Sequence, residues 1–161
     1  MATAFHNLSS YDTSTVPNAM GMKFGIVLAD WNERFTYAMA EAAVETLVEN
    51  GADEKDIVIK HVPGSFELIY GAAWMVDNAD VDAVIAIGCV IRGDTPHFDY
   101  ICQGTTQGLA ELNLRAEVPV IYGLLTCNTP LQAEERCGGR LGNKGTECAV
   151  TAIKMVAYNG A

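Results

Sequence analysis

The apolar run Asp82-Ala-Val-Ile-Ala-Ile-Gly-Cys-Val-Ile91 continues directly into Arg92-Gly-Asp-Thr-Pro-His97. The apolar part is typical of a strand that is buried on both faces of a parallel sheet. The part that follows is a glycine turn. It offers the backbone N–H groups of residues 93–95 beside a predicted helix start, which suits an anion. His97 adds a side chain that exchanges protons near neutral pH. The segment predicts a buried strand that ends at an anion site with an acid–base group.

Strands and helices alternate along the rest of the chain. We predict four strands, Lys23–Ala29, Asp56–Val62, Asp82–Ile91 and Pro119–Thr126, and five helices, Arg34–Glu49, Phe66–Val76, Phe98–Leu114, Pro130–Arg136 and Thr146–Tyr158. This alternation predicts an α/β fold, a three-layer flavodoxin-like parallel sheet with helices on both faces. We expect residues 1–21 to form an irregular N-terminal arm and residues 22–161 to form a single α/β domain.

Composition narrows the classes of function. A chain of 161 residues suits one domain, and a formal net charge of −10 argues against a nucleic-acid partner. No apolar run approaches the roughly 18 residues that a membrane span needs, and residues 1–16 lack a secretory pattern. The five cysteines include no Cys-x-x-Cys pair. We therefore expect reduced thiols and a cytoplasmic location.

In α/β sheets, ligands bind beyond the carboxyl ends of the strands. The loops that follow the first three strands bring Trp31, Phe66, Glu67 and His97 to this rim. Each residue has a plain structural interpretation as well. Trp31 can be a core aromatic and Phe66 the start of a helix. Glu67 can interact with the helix dipole, and His97 can be an ordinary histidine at a helix start. Tyr122 lies near the beginning of its strand, so a site role for it requires a neighbouring subunit.

Several familiar signatures are missing. No Gly-x-Gly-x-x-Gly follows the first strand, and the P-loop spacing from Gly88 to Gly93 is followed by Asp94 where lysine is required. The three histidines show no metal-ligand spacing. We expect neither a metal nor a bound dinucleotide. The glycine-rich run Gly138–Gly145 carries Arg140 and Lys144 and follows Arg136, and its plain interpretation is a linker.

Six motifs occur together in order: Asp30-Trp-Asn32, Val62-Pro-Gly-Ser-Phe-Glu67, the segment 88–100, Pro119–Thr126, Gln132-Ala-Glu-Glu-Arg136 and Gly142-Asn-Lys-Gly145. With these motifs the chain, from about Lys23 onward, resembles the lumazine synthase family of riboflavin biosynthesis. The resemblance implies a transferase that needs no cofactor. Such an enzyme condenses 5-amino-6-(D-ribitylamino)uracil with 3,4-dihydroxy-2-butanone 4-phosphate to 6,7-dimethyl-8-ribityllumazine, releasing phosphate and water in the penultimate step of the pathway.

The resemblance also implies roles for twelve residues. His97 would move protons, and Asp94, Thr95 and Arg136 would bind phosphate. The pyrimidine and its ribityl chain would be bound by Trp31, Ser65, Phe66, Glu67, Val90, Ile91, Tyr122 and Lys144. Tyr122, Arg136 and Lys144 would come from a neighbouring subunit. Trp31 and Tyr122 stand where many family members carry phenylalanine, and Asp94 places a carboxylate beside the expected phosphate.

For assembly, the resemblance implies a homo-oligomer with shared active sites, a pentamer. The turn Gly138–Lys144 has no insertion, which favours an icosahedral shell of sixty subunits. We expect the N-terminal arm to pair with an adjacent subunit's sheet edge, and riboflavin synthase is a candidate partner. Three alternatives stay open: a non-catalytic lumazine- or riboflavin-binding protein, a structural shell protein, and a flavodoxin-type electron carrier with bound FMN.

Overall fold

A computed structural model describes residues 7–160. Its four-stranded parallel sheet has the order β2-β1-β3-β4. The strands are β1 Phe24–Ala29, β2 Ile57–Val62, β3 Ala83–Ile91 and β4 Val120–Cys127. The helices are α1 Glu33–Glu49, α2 Leu68–Asn78, α3 His97–Asn113, α4 Pro130–Glu134 and α5 Lys144–Gly160. Two short strands, β5 Cys137–Gly139 and β6 Gly142–Asn143, form a hairpin between α4 and α5.

Helices cover both faces of the sheet, which confirms the predicted three-layer fold. One apolar core joins the sheet to α1, α4 and α5, and a second joins it to α2 and α3. β3 contributes Ile85 and Ile87 to the first core and Val84 and Ala86 to the second. None of the helices within residues 7–160 is long and apolar enough to cross a membrane.

Local interactions explain where the elements differ from their predicted bounds. α2 begins at Leu68 rather than Phe66, because Ser65 to Glu67 form a turn in which the Leu68 N–H donates to the Ser65 carbonyl at 3.3 Å. The predicted linker contains the β5–β6 hairpin. α5 begins at Lys144 rather than Thr146, and the Asn143 side chain accepts from the Gly145 N–H at 2.8 Å.

The described part of the predicted arm packs on its own chain. The Leu8 N–H donates to the Leu141 carbonyl at 2.7 Å, and the Ser9 hydroxyl accepts from the Asn143 N–H at 2.8 Å. The arm therefore supports the β5–β6 hairpin, and its one regular element is a short 3₁₀ helix at Thr13–Thr15. Residues 1–6 lie outside the described residues, and for them the pairing with an adjacent subunit's sheet edge stays a prediction.

Cys148 should make the free energy of unfolding depend on alkaline pH. Cys148 lies on the face of α5 that packs against the sheet, and this burial raises the pKa of its thiol to about 12. In the unfolded chain the same thiol ionises near its ordinary value of 9.0. The folded state therefore loses about 1.4 kcal/mol per pH unit from this group above that value. Urea titrations between neutral and alkaline pH should show a shallower decline for Cys148→Ala than for the natural chain. Parallel declines in the two proteins would contradict this.

Candidate active site

A cleft of about 440 Å³ opens at the carboxyl ends of β1, β2 and β3. Its walls are formed by the loops that follow these strands and by the first turns of α3. Eight of the twelve residues predicted from the sequence line it: Trp31, Ser65, Phe66, Glu67, Val90, Ile91, Thr95 and His97. Asp94 lies between the lining residues Gly93 and Thr95. The β-strand ends have thus brought together residues that are far apart in sequence.

Trp31 forms one wall of the cleft. Its backbone N–H donates to the Pro63 carbonyl at 3.1 Å, which fixes the loop after β1 against the end of β2. The residue is nevertheless 72% exposed. A large apolar ring that is held at its backbone and left open to solvent provides a flat surface for stacking.

The turn from Ser65 to Glu67 forms the opposite wall. The Ser65 carbonyl accepts from the Thr105 hydroxyl at 3.3 Å, which ties the turn to α3. The half-exposed Phe66 ring lies over Gly104, where an added Cβ would be 3.1 Å from the ring. A Cβ on Gly88 of β3 would stand 2.8 Å from the Ser65 hydroxyl oxygen. Two glycines therefore provide the space in which this wall packs.

The loop after β3 keeps its amides available. Within the described part of the chain, the N–H groups of Gly93, Asp94 and Thr95 donate to no protein acceptor. Exposed amides in front of a helix N-terminus are suited to an anion. The nearest guanidinium, that of Arg92, is committed elsewhere. It donates to Asp99 at 2.8 Å and to Asn128 at 3.0 Å, and it holds the pKa of the Asp99 carboxyl below its usual value.

His97 is the first residue of α3 and faces the cleft. It is exposed, and its imidazole makes no hydrogen bond within residues 7–160. The described part of the cleft lining contains one carboxylate, that of Glu67, and one imidazole, that of His97. Among the described residues, no lysine or arginine side chain lines the cleft. The described lining thus combines free amides that suit an anion with an imidazole, and it contains neither lysine nor arginine.

Tyr122, Arg136 and Lys144 lie elsewhere, on a region that we call the β4-edge surface. Tyr122 pairs with Ala86, whereas Cys127 at the end of β4 pairs with Ile91. At about 3.3 Å per residue, Tyr122 lies about 16 Å back along the strand from that end. This position confirms the expectation that Tyr122 does not reach the carboxyl rim of its own subunit.

Lys144 of the β4-edge surface lies near both Arg136 and Tyr122. The Lys144 N–H donates to the Arg136 carbonyl at 2.8 Å. Burial raises the pKa of Tyr122, and the nearby Lys144 ammonium offsets part of that rise. The Tyr122 hydroxyl is hydrogen bonded to the Thr106 hydroxyl at 2.7 Å. One aromatic ring and two cations therefore lie along β4, with Lys144 near Tyr122 and Arg136 near Cys127.

Sequence reasoning gave no site role to Asn32, Cys89, Phe98 or Ile101, which also line the cleft. Ile101 follows His97 by four residues, a helical spacing that could have revealed it. Asn32 is marked by its left-handed backbone conformation, which the amino-acid sequence does not reveal. The described residues contain no group of three or more side chains suited to a metal ion.

The parallel sheet and the cleft at its carboxyl edge place the chain in the class of α/β proteins that bind ligands at strand ends. Residues 21–159 match the family of 6,7-dimethyl-8-ribityllumazine synthases. The synthase of Phocaeicola vulgatus is 61% identical over 158 residues, covering 98% of this chain and 94% of the relative. That of Porphyromonas gingivalis is 57% identical over 155 residues, covering 96% of each. That of Parabacteroides distasonis is 55% identical and covers 99% of each chain. The chain belongs to this family.

The two wall glycines should respond differently to alanine. At Gly88 a Cβ would lie within 3 Å of Leu68, Ser65 and Leu124, all held in the packed interior. We expect Gly88→Ala to lower stability by about 1–3 kcal/mol. At Gly104 the tight contact is the half-exposed Phe66 ring, which can move, and alanine favours the helix. Gly104→Ala should leave the thermal midpoint equal or higher. Calorimetry on both variants checks this, and equal losses would refute it.

Proposed function

We propose that the cleft of one subunit and the β4-edge surface of a second subunit together form the active site of this enzyme. As a member of its family, the chain is a transferase of riboflavin biosynthesis. It condenses 5-amino-6-(D-ribitylamino)uracil with 3,4-dihydroxy-2-butanone 4-phosphate to the lumazine. The observation that carries the shared site is the charge of the cleft: anion-binding amides occur there without a lysine or arginine among the described lining residues.

The pyrimidine binds between the two walls of the cleft. Trp31 stacks on its plane, because this ring is exposed and its backbone is fixed. Backbone groups of Ser65 and Phe66 on one side, and of Val90 and Ile91 on the other, recognise the polar edges of the ring and the ribityl chain. Glu67 accepts hydrogen bonds from ribityl hydroxyls, since a carboxylate is an acceptor only.

The phosphate of the second substrate binds at the loop after β3. The amides of Asp94 and Thr95 donate to it, and the Asp94 carboxylate turns away because like charges repel. A dianion in a chain of net charge −10 needs a cation close by. Arg92 is engaged with Asp99 and Asn128. We therefore assign the phosphate's counter-charge to Arg136 of a second subunit, with Lys144 and the Tyr122 ring beside the pyrimidine.

His97 moves protons during the reaction. The 5-amino group of the pyrimidine attacks the ketone, and the resulting carbinolamine loses water to give an imine. Inorganic phosphate is then eliminated, and the ribitylamino nitrogen closes the second ring on the remaining carbonyl with loss of a second water. Each step moves a proton between nitrogen, carbon and oxygen, and an imidazole at the start of α3 is placed to accept and return it. Holding the two substrates together supplies the remaining acceleration.

His97→Ala should slow turnover while leaving the assembly intact. A positioned acid–base group is worth about 10²–10⁴-fold, and we expect the low end, since an amine and a ketone react without assistance. Steady-state assays of lumazine fluorescence with both substrates saturating measure the effect. Binding of inorganic phosphate is the control and should be unchanged. A variant that turns over at the natural rate would remove His97 from the mechanism.

Complementation tests the shared site directly. Arg136→Ala should raise the KM for the butanone phosphate about tenfold or more, because a charged hydrogen bond is lost, and should spare the pyrimidine. When His97→Ala and Arg136→Ala chains are co-expressed in equal amounts, about a quarter of head-to-tail sites combine an intact cleft with an intact edge. At butanone phosphate concentrations well below the natural KM, activity should return to about that fraction.

The control for complementation replaces the His97→Ala chain by one that carries both substitutions. Every site then lacks Arg136 and no recovery is expected. If the two single variants recover no more activity than this control, Arg136 and His97 act within one subunit, or Arg136 does not bind substrate.

Head-to-tail contacts of this kind close into rings, and we propose a pentamer that assembles further into an icosahedral shell. Support comes from the exposed apolar surface of the edge strand β2, where Val58 and Ile59 are each 41% exposed. The segment between α4 and α5 is a compact hairpin that does not project an insertion. Light scattering should give a mass of about sixty chains. A stable mass near five chains would reject the shell, and a single chain would reject the shared site as well.

Two further proposals concern the surroundings of the enzyme. We propose that it works in the cytoplasm, consistent with five free cysteines. We propose riboflavin synthase as its partner, since that enzyme consumes the lumazine product. The non-catalytic alternative, a binding or shell protein on the same scaffold, has no need for an unengaged histidine in the cleft. A flavodoxin-type carrier would retain flavin and show no condensation.

A further inference from the structure

Asn32, which lines the cleft, has a left-handed backbone conformation. Among the described residues it is the one non-glycine residue with a positive φ, 64° with ψ of 41°. It stands between Trp31 and the first residue of α1. Left-handed backbone is unfavourable for residues with a Cβ, although asparagine tolerates it better than most. A residue of this kind points to a local task that outweighs the conformational cost.

The task is not helix capping. Asparagine before a helix usually accepts a hydrogen bond from the helix's free N–H groups. The side chain of Asn32 makes no such bond. Its Nδ2 instead donates to the Cys89 carbonyl at 2.8 Å, across 57 residues of sequence. Asn32 is half-buried and Cys89 is fully buried, so this hydrogen bond lies at the floor of the cleft.

The loop is also fixed on its other side. The Asp30 N–H donates to the Val62 carbonyl at 2.9 Å, and the Trp31 N–H donates to the Pro63 carbonyl at 3.1 Å. The two bonds tie the loop to the end of β2. The Asn32 bond ties it to β3, immediately before Val90 and Ile91. Trp31 is thus held from both neighbouring strands by backbone and side-chain bonds, while its own ring stays exposed.

We propose that Asn32 is a positioning residue that sets the distance between the Trp31 ring and the backbone of Val90 and Ile91. A planar heterocycle can then stack on the ring and present its polar edge to that backbone at the same time. The inference rests on the proposed function, because the heterocycle is the pyrimidine substrate. Loss of the bond should weaken pyrimidine binding and leave the butanone phosphate, held at residues 93–95, nearly unaffected.

Three substitutions separate the parts of this role. Asn32→Asp keeps the shape and replaces the donor by a carboxylate that faces the Cys89 carbonyl. Asn32→Gly keeps the left-handed backbone and loses the donor. Asn32→Ala loses the donor and adds backbone strain. We expect the KM for the pyrimidine to rise about fivefold to tenfold in all three, as for one lost hydrogen bond. The thermal midpoint should fall most in Asn32→Ala.

Asn50→Asp is the matched control. Asn50 also donates its side-chain amide to a backbone carbonyl, that of Thr46 at 2.8 Å, but at the end of α1 that lies away from the cleft and from β4. It should lower stability without changing either KM. A second measurement uses a Trp74→Phe background, in which the emission of Trp31 is observed alone. Titration with the pyrimidine substrate should require a higher concentration to quench this emission in Asn32→Asp than in the background protein.

The outcomes are distinct. Natural KM values and quenching in Asn32→Asp and Asn32→Gly would overturn the positioning role. An equal rise in KM for both substrates, with a fallen midpoint, would reduce Asn32 to a structural residue and overturn it as well. If the natural chain fails to condense the two substrates, the proposed function fails. The quenching titration still decides whether Asn32 positions Trp31 for a planar ligand.

Discussion

Burial of β3 on both faces is the constraint on which the rest of the structure depends. From Ala83 to Cys89 the strand is fully buried, and its side chains alternate between the two apolar cores. A strand in this position cannot shift by one residue, because every side chain would move to the wrong core. Its carboxyl end is therefore fixed, and so are the carbonyl of Cys89, the backbone of Val90 and Ile91, and the amides that follow. The core therefore holds in place the groups of β3 that line the cleft.

The same strand explains why glycine stands at position 88. The turn at Ser65 must approach β3 closely to form a wall of the cleft, and any side chain at this position would meet the Ser65 hydroxyl and two leucines. The close approach of the Ser65 turn to Gly88 also brings Leu68, the first residue of α2, into contact with β3. Gly88 thus contacts both the Ser65 turn of the cleft and the leucines of the core. Moving this wall of the cleft would therefore disturb the core and lower stability.

Much of this arrangement could be predicted from the sequence. The apolar run of β3, the helix that begins at His97 and the loops after β1 and β2 are local patterns, and the rule of strand ends brings them together. The direction of single side chains could not be predicted. Arg92 turns to Asp99 and Asn128, and Asn32 crosses to Cys89, because of contacts that exist only after folding. The β5–β6 hairpin was interpreted as a linker, because its supports come from residues 7–9 at the far end of the sequence.

Charge links the fold to assembly. A loop of free amides in a strongly acidic chain binds an anion weakly unless a cation lies close by, and the described lining of the cleft contains no lysine or arginine. The cations at Arg136 and Lys144 sit on another face, where Arg136 donates to the Gln132 carbonyl and Lys144 pairs with Glu147. These contacts hold the cations in place without using them for the subunit's own cleft. In the shared site that we propose, phosphate affinity arises only where two copies meet, because the free amides and the cations belong to different subunits. On this proposal an isolated subunit would have the imidazole of His97 but not the cations that hold the phosphate, so catalysis would require oligomerisation.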